Sequence, residues 1–311
     1  MGYAVVLGEA LVDLLDTECE GAPVYRQAIG GGPLNVAVGV ARLGGAVQFV
    51  GSLGDDVLAG RIRDFLTAQQ VGLTGAVTAA VPTTLAVATF SGVEPDFRFY
   101  GEPPSYALLG PDELDVALVE GAQVLYCGSI VLLAPTTLAA ARRAWAAAPG
   151  LRVFDPNVRA RLLAGPQALA GLREVVAEFA AGAHLVKLSA ADAELLYPGE
   201  PVESVAVYLR ELGAATVVVT LGAAGAVVAA ADADPVRVPA PKVDAVDATG
   251  GGDSVMAALV ADLLTGGEPV GPSGWHERVG YALRVAGLVC ERPGGAVAMP
   301  TRDEVRQRFG D

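Results

Sequence analysis

The chain of 311 residues carries 21 Lys and Arg against 35 Asp and Glu, a formal net charge of −14. Such a field repels phosphate backbones and anionic lipid, which excludes nucleic-acid or membrane-surface binding as the main function and requires any anionic ligand to be held locally. With 52% hydrophobic and 18% charged residues, the composition is that of a globular protein with ample material for a core.

Lys187 and Lys242 are the only lysines and neither follows a glycine, so the phosphate loop G-x-x-x-x-G-K-[ST] is absent. His184 and His276 allow no zinc spacing and little for a histidine triad; His184, just before an apolar strand, reads as structural. Cys19, Cys127 and Cys290 are scattered, without C-x-x-C, and read as buried reduced thiols of a cytoplasmic protein. Residues 1–15 lack a basic segment and carry Glu9 and Asp13 in an apolar run, against a signal peptide.

In chain order, residues 5–7 predict a strand and 10–15 continue it with Asp13 embedded; residues 17–28 are polar and read as turn-rich. A triple glycine, 30–32, precedes a helical pattern over 35–43 that Gly44 and Gly45 stop, followed by a strand at 47–50 and a helix capped by Asp55 or Asp56. Alternating strand pattern returns at 84–90 and 97–100. Strands at 124–127, 153–154, 185–188 and 217–220 then alternate with helices at 136–148 and 166–181, the pattern of βαβ units in a mostly parallel sheet. Two long uncharged stretches, 121–141 and 212–231, are interrupted by glycine or proline and read as buried sheet rather than membrane spans. No linker divides the chain, so residues 1–311 are expected to form one α/β domain with a small β element from the Asp13 and Thr84 regions.

The sharpest motif is Asp247-Ala-Thr-Gly-Gly-Gly-Asp253 ahead of an apolar helix. Successive glycines at a helix start let backbone N–H groups converge on an anion where the helix dipole also favours it. Asp253 beside that anion reads as a general base for a hydroxyl nucleophile; the alternative is a tight turn with Asp253 as a helix cap. Gly31-Gly32-Pro33-Leu34-Asn35 also opens a helix, where small residues permit close ligand approach and Asn35 supplies a donor and an acceptor, unless it is simply a turn. Asp13 in an apolar strand needs a polar ligand or an arginine partner, because an unpaired buried carboxylate costs several kcal/mol, roughly. Asn157 and Arg159 follow a strand at the edge where open α/β sheets bind ligands, and Arg159 has the shape to clamp a phosphate. Lys187, ending a buried strand, reads as a phosphate contact.

Together the clusters resemble the two signatures of the PfkB-type carbohydrate kinases, with their ribokinase-like three-layer α/β fold: Gly31, Gly32, Asn35, Ala37, Gly44, Gly51 and Gly54-Asp55-Asp56 match the first, and Asp247, Thr249, Gly250, Gly252 and Asp253 the second. Gly8 to Asp13, Asp155-Pro156-Asn157-Val158-Arg159 and Val186-Lys187-Leu188-Ser189 are most similar to bacterial fructokinases, and Gly32 stands where keto-deoxygluconate kinases usually have Asp.

The resemblance implies an ATP- and magnesium-dependent sugar kinase with fructose as acceptor. Asp253 would be the base, the Gly250, Gly251 and Gly252 amides would hold the transferred phosphoryl, and Asp13, Gly31, Gly32 and Asn35 would bind sugar hydroxyls beside Arg98, Asn157 and Arg159. Lys187, Ser189, Asp192, Thr220, Gly222 and Gly225 would lie along the nucleotide. Ser189-Ala-Ala-Asp192 replaces the family's N-x-x-E, so Asp192 either reaches magnesium through water or only caps a helix. Gly251 replaces the usual Ala, loosening the loop by about a kcal/mol. Asp247 and Thr249, near Gly294 and Gly295, match where many relatives bind potassium. Segments of about residues 12–30 and 84–102 would form a lid that also pairs protomers into a homodimer.

Keto-deoxygluconate kinase and ribose or nucleoside kinase are the alternatives within the same chemistry, separated by pocket residues such as Arg98, Phe99 and Tyr106. A phosphofructokinase needs a basic pocket that Arg98 alone does not make. A silent sugar or nucleotide sensor is the non-enzyme alternative, disfavoured by Asp253. A dinucleotide oxidoreductase fails because Gly30, Gly32 and Asn35 do not complete G-x-G-x-x-G.

Overall fold

A computed structural model describes residues 2–90, 95–230 and 233–310, with backbone alone at 88–90 and 95–97. Residues 91–94 of the expected lid and Ala231 of the second uncharged stretch lie outside the described residues. The first half runs β1 (Ala4–Leu7), β2 (Leu11–Cys19), β3 (Ala22–Gly30), α1 (Gly32–Arg42), β4 (Val47–Leu53), α2 (Val57–Ala68), β5 (Ala76–Thr78), β6 (Leu85–Phe90), β7 (Pro95–Tyr100), α3 (Val116–Glu120), β8 (Val124–Gly128), α4 (Pro135–Ala147) and β9 (Leu151–Asp155). The second runs α5 (Pro166–Ala180), β10 (Leu185–Ser189), α6 (Ala190–Leu196), α7 (Val202–Glu211), β11 (Thr216–Thr220), β12 (Ala226–Ala230), β13 (Val236–Val238), α8 (Gly251–Gly266), α9 (Gly271–Cys290) and α10 (Arg302–Phe309).

Nine strands form the main sheet in the order β13-β12-β11-β10-β9-β8-β1-β4-β5. From β11 to β5 every pairing is parallel; only β12 and β13 run antiparallel. Strand alternation divides the core into two. Ala4 and Val6 of β1, Val153 of β9 and Val218 of β11 face α1, α2, α8 and α9, whereas Val5, Leu7, Phe154, Val217 and Val219 face α3 to α7. Helices cover both faces, so the strands read as continuous apolar runs, and the three-layer α/β fold expected from the sequence is what forms.

A second sheet, in the order β3-β2-β6-β7, stands apart from the first. Residues 17–28 are strand here, not a turn-rich segment: β2 and β3 form one long hairpin that turns at Glu20 and Gly21, both at positive φ. Polar side chains misled the reading because the outer half of this hairpin is solvent-exposed on the whole. Residues 121–141 are likewise only partly sheet, since α4 begins at Pro135, which suits the first turn of a helix. Among the described residues no helix is long and apolar enough to cross a membrane.

Candidate active site

Glu9, Ser129, Asn157 and Asp192 each sit at or just beyond the carboxyl end of a parallel strand, β1, β8, β9 and β10 respectively. The dipoles and connections of an open α/β sheet place ligand crevices at that edge, and a cleft of about 480 Å³ opens there between the main sheet, the starts of α1 and α8, and the small sheet. Of the residues singled out from sequence, Asp13, Gly31, Gly32, Asn35, Asn157, Arg159, Lys187, Ser189, Asp192, Thr249, Gly250, Gly252 and Asp253 line it.

Asp253 sits in the first turn of α8, buried, with both carboxylate oxygens held. Asn35 Nδ2 donates to Oδ2 at 2.8 Å and Asn157 Nδ2 to Oδ1 at 3.3 Å. The Asn157 amide is itself fixed, because Arg159 Nη1 donates to its Oδ1 at 2.6 Å. Asn157 has φ of 36°, a left-handed conformation that asparagine tolerates better than most residues, and this turn brings its side chain back over the sheet edge. A Cβ at Gly32 would lie 2.6 Å from Asn157 Nδ2 and 3.3 Å from Asp253 Oδ1, so the absence of a side chain there makes room for the pair.

The glycine loop is built for close approach. Gly250 has φ of 77°, and a Cβ on it would meet Gly295 Cα at 2.9 Å. One expected donor is engaged: the Gly251 amide donates to the Ala248 carbonyl at 3.1 Å, because the turn into α8 closes there. Gly251 also does not line the cleft; a Cβ there would stand 3.3 Å from Cys290 Sγ. Gly250 and Gly252 remain to face an anion. Lys187 Nζ stands 3.0 Å from where a Gly252 Cβ would be, in a buried ion pair of 2.9 Å with Asp155 Oδ2. Burial works against its charge, but Asp155, Asp192 and Asp253 outweigh it and hold Lys187 protonated.

Asp192 is engaged at the start of α6. Its Oδ2 accepts from the Ser189 amide and hydroxyl in a capping box for α6, and its Oδ1 accepts from the Val158 amide at 2.9 Å. Ser189 is committed to the same box. Asp247 ties two loops together, accepting from the Thr249 amide and the Gly294 amide, each at 2.9 Å. Although burial opposes it, bonds from Thr249 and Gly294 keep the Asp247 carboxyl below its ordinary value.

Some expected residues are elsewhere. Arg98 is exposed and does not line the cleft: on β7 it pairs with Val87, while its neighbour Phe99 pairs with Ala86, and strand alternation sends those two to the cleft instead. Tyr106 is buried in the core below. Thr220, Gly222 and Gly225 lie at the end of β11 and in the turn beyond it, on the same sheet edge but outside the cleft; Gly225 is packed against Val238, whose carbonyl oxygen a Cβ would strike at 2.0 Å. Cys19 is exposed rather than buried, on the outer tip of the hairpin; Cys127 is buried and Cys290 half-buried. His184 is structural, its Nδ1 accepting from the Arg152 amide at 3.0 Å.

The sequence reading assigned no role to Glu9, Ser129 or Asp155. Glu9 is buried against the cleft, where its Oε1 accepts from the Gly32 amide at 3.1 Å and from Ser129 Oγ at 2.7 Å, while Oε2 is buried without a partner among the described residues. Burial pushes its carboxyl up to about 7 despite the Ser129 bond and the nearby Arg159. Burial also pushes Asp13 up to about 7, with Arg159 pulling the other way. A lone glutamate inside an apolar run was the available signal, one that Asp13 received and Glu9 did not.

The arrangement pairs a carboxylate oriented by two amides with a glycine-rich helix start, in a cleft whose lining includes Glu9, Asp13 and Asp192. The sequence profile described as pfkB family carbohydrate kinase matches residues 1–302. A fructokinase of Klebsiella pneumoniae is 34% identical over 312 residues, covering 98% of this chain and 99% of its own. Among solved structures, a fructokinase of Xylella fastidiosa with bound ATP superposes with a TM-score of 0.89 at 27% identity, covering 99% of each chain. An aminoimidazole riboside kinase of Salmonella enterica, complexed with aminoimidazole riboside and an ATP analog, gives 0.85 at 28% identity, covering 99% of this chain and 100% of its own. With a profile match over nearly its whole length and a relative so similar from end to end, the chain belongs to the pfkB family of carbohydrate kinases.

Proposed function

We propose that the protein is an ATP-dependent sugar kinase whose acceptor is fructose, and that Asp253, held by Asn35 and Asn157 at the start of α8, is its base. That carboxylate carries the reading. It takes the proton of a primary hydroxyl as the oxygen forms its bond to the γ-phosphorus; the bond from that phosphorus to the β–γ bridging oxygen breaks and ADP leaves. The amides of Gly250 and Gly252, with the two Lys187 protons not given to Asp155, face the charge that develops on the phosphoryl group. Arg159 stands where a second clamp is needed. The nucleotide would lie along the carboxyl edge from Ser189 past Thr220 to the Gly222–Gly225 turn.

Magnesium fits this cleft as an ion carried on the nucleotide phosphates, completing its shell with water. Asp192 and Asp155 have their oxygens engaged by hydrogen bonds or Lys187, and no group of three side-chain ligands forms among the described residues. The ion would supply charge neutralisation of the triphosphate. Potassium at Asp247 and Thr249 belongs to the same proposal.

A neutral acceptor suits the sugar half of the cleft. Glu9, Asp13 and Asp253 outnumber Arg159 there, and a carboxylate or phosphate on the acceptor would add to the negative charge that burial already disfavours on Glu9 and Asp13, which weighs against keto-deoxygluconate and fructose 6-phosphate. The riboside reading keeps one support, the similarity to the riboside kinase together with the Phe99 ring lining the cleft. Asp13 and Phe99 come from the small sheet, which would close over the sugar as a lid and exclude water. Its edge strands β3 and β7 carry the exposed Tyr25 and Tyr100, where a second copy would pair in a homodimer of the cytoplasm; sedimentation as a monomer at micromolar protein removes that part.

The deciding experiment is ADP release with ATP and magnesium against fructose, keto-deoxygluconate, ribose, aminoimidazole riboside and fructose 6-phosphate, with and without potassium. Turnover with fructose far above the rest is expected. Turnover confined to a riboside replaces the acceptor, and ATP binding without turnover on any acceptor returns the sensor.

A further inference from the structure

A second cavity, of about 590 Å³, lies at the opposite end of α8 and is lined from α8, α9 and α10. It is separate from the active-site cleft: Asp262 on its wall is nine residues beyond Asp253, about 14 Å along the helix axis. Although the protein carries a net charge of −14, this cavity collects Arg278, Arg284, Arg302 and Arg306 against Asp262 and Glu277.

The arginines are not equivalent. Arg278 pairs with Asp262 at 2.6 Å and donates to the Gly267 carbonyl, closing the end of α8. Arg302 donates through Nε to the Leu43 carbonyl at 2.6 Å, which anchors its stem on the wall and leaves the outer nitrogens of the fork. Arg284 makes no hydrogen bond or ion pair with the described residues. Between them, the Tyr281 hydroxyl is buried without a partner among the described residues, in the field of Arg302, Arg284 and Arg306 and, against these, of Asp262. A buried hydroxyl with nothing to bond is costly unless something joins it, and here three arginines act on it against one carboxylate, Asp262, which Arg278 already pairs.

We propose that this cavity binds a phosphate group, through the Arg284 and Arg302 guanidinium forks and the Tyr281 hydroxyl donating to the same anion. Arginine forks match phosphate oxygens in pairs, and the hydroxyl gains its missing acceptor. The cavity is larger than one phosphate, so a phosphorylated small molecule fits it as well as free phosphate. The inference stands apart from the kinase reading, since none of these residues touches the cleft.

The test is calorimetric titration of inorganic phosphate and of a hexose phosphate into the wild type, Arg284→Gln, Tyr281→Phe and Arg159→Gln proteins, at constant ionic strength set with chloride. Saturable binding that weakens tenfold or more in Arg284→Gln, weakens in Tyr281→Phe and persists in Arg159→Gln is the expected result. Equal affinities would mean that phosphate alone is recognised; tenfold tighter binding of the ester would add its sugar body. Melting temperatures in chloride check that each variant is folded, and Tyr281→Phe, which removes one oxygen, keeps the test open if Arg284→Gln fails. No saturable binding to the wild type, or binding unchanged by both cavity variants or lost in Arg159→Gln, overturns the proposal.

Discussion

Two helices of this molecule open on glycines, and they face the same cleft with opposite chemistry. At the start of α1 the Gly32 amide is already taken by Glu9 Oε1, a carboxylate of the protein itself. At the start of α8 the corresponding place is lined by Gly250 and Gly252, and only Gly251 turns its amide inward. A helix N-terminus favours an anion wherever one is within reach. The first is occupied by a carboxyl group of the protein and offers a ligand polar edges; the second stays open, and in the proposed kinase its place goes to the phosphoryl group. The Asn35–Asp253 bond at 2.8 Å joins the two, so one residue of α1 orients the carboxylate at the start of α8.

The strongest way to break that division of labour is Asp253→Asn. It keeps the shape and the contact with Asn35 or Asn157 but removes the proton acceptor, so turnover is expected to fall by about two to four powers of ten while ATP affinity changes little. Steady-state ADP release with direct nucleotide binding checks it. Unchanged turnover would mean that water or another group takes the proton.

A smaller effect is expected from Gly32→Ala. The new methyl would stand 2.6 Å from Asn157 Nδ2, so the amide must leave Asp253, and displacement of a catalytic group by an ångström costs up to about 10²-fold in rate. Gly171→Ala in α5 is the control, since a Cβ there meets nothing within 4 Å. If Gly32→Ala keeps the wild-type kcat, Asn157 does not orient the base.

Much of this comparison was legible in the residues. The βαβ alternation gave the parallel sheet because strands buried on both faces are apolar throughout, and both glycine clusters were visible because glycine next to a helix pattern is conspicuous. What stayed hidden depends on direction rather than identity. Arg98 and Phe99 are adjacent in sequence, and only the register of β7 against β6 decides which of them enters the cleft. Gly251 looks like its neighbours, yet its amide is turned toward Ala248. Asp192 was readable as either ligand or cap, and only the fold brings the Val158 amide from another strand end to 2.9 Å, so that both oxygens are engaged, while Ser189 was not read as its capping partner. The hairpin of β2 and β3 was misread because an exposed, polar strand carries little of the apolar alternation by which strands are recognised.

The smallest effect, and the one that isolates the sugar-side helix, is the pH dependence of stability in Glu9→Gln. Glutamine retains an oxygen for the Gly32 amide and Ser129 but cannot titrate. In the wild type, burial raises the Glu9 carboxyl from 4.5 to about 7, so between those values the folded state keeps a proton that the unfolded chain has lost. Raising the pH through that window therefore favours unfolding: below it Glu9 contributes no pH dependence, and above it the destabilisation is complete. Relative to Glu9→Gln, the wild type is expected to lose up to about 1.4 kcal/mol of stability per pH unit across the window. Urea denaturation of both proteins from pH 4 to pH 8 measures the difference, and kcat should agree within a few-fold because Glu9 holds the turn rather than the reacting oxygen. Parallel stability curves would mean that Glu9 stays ionised in the fold, and the start of α1 would then carry a permanent negative charge beside the sugar.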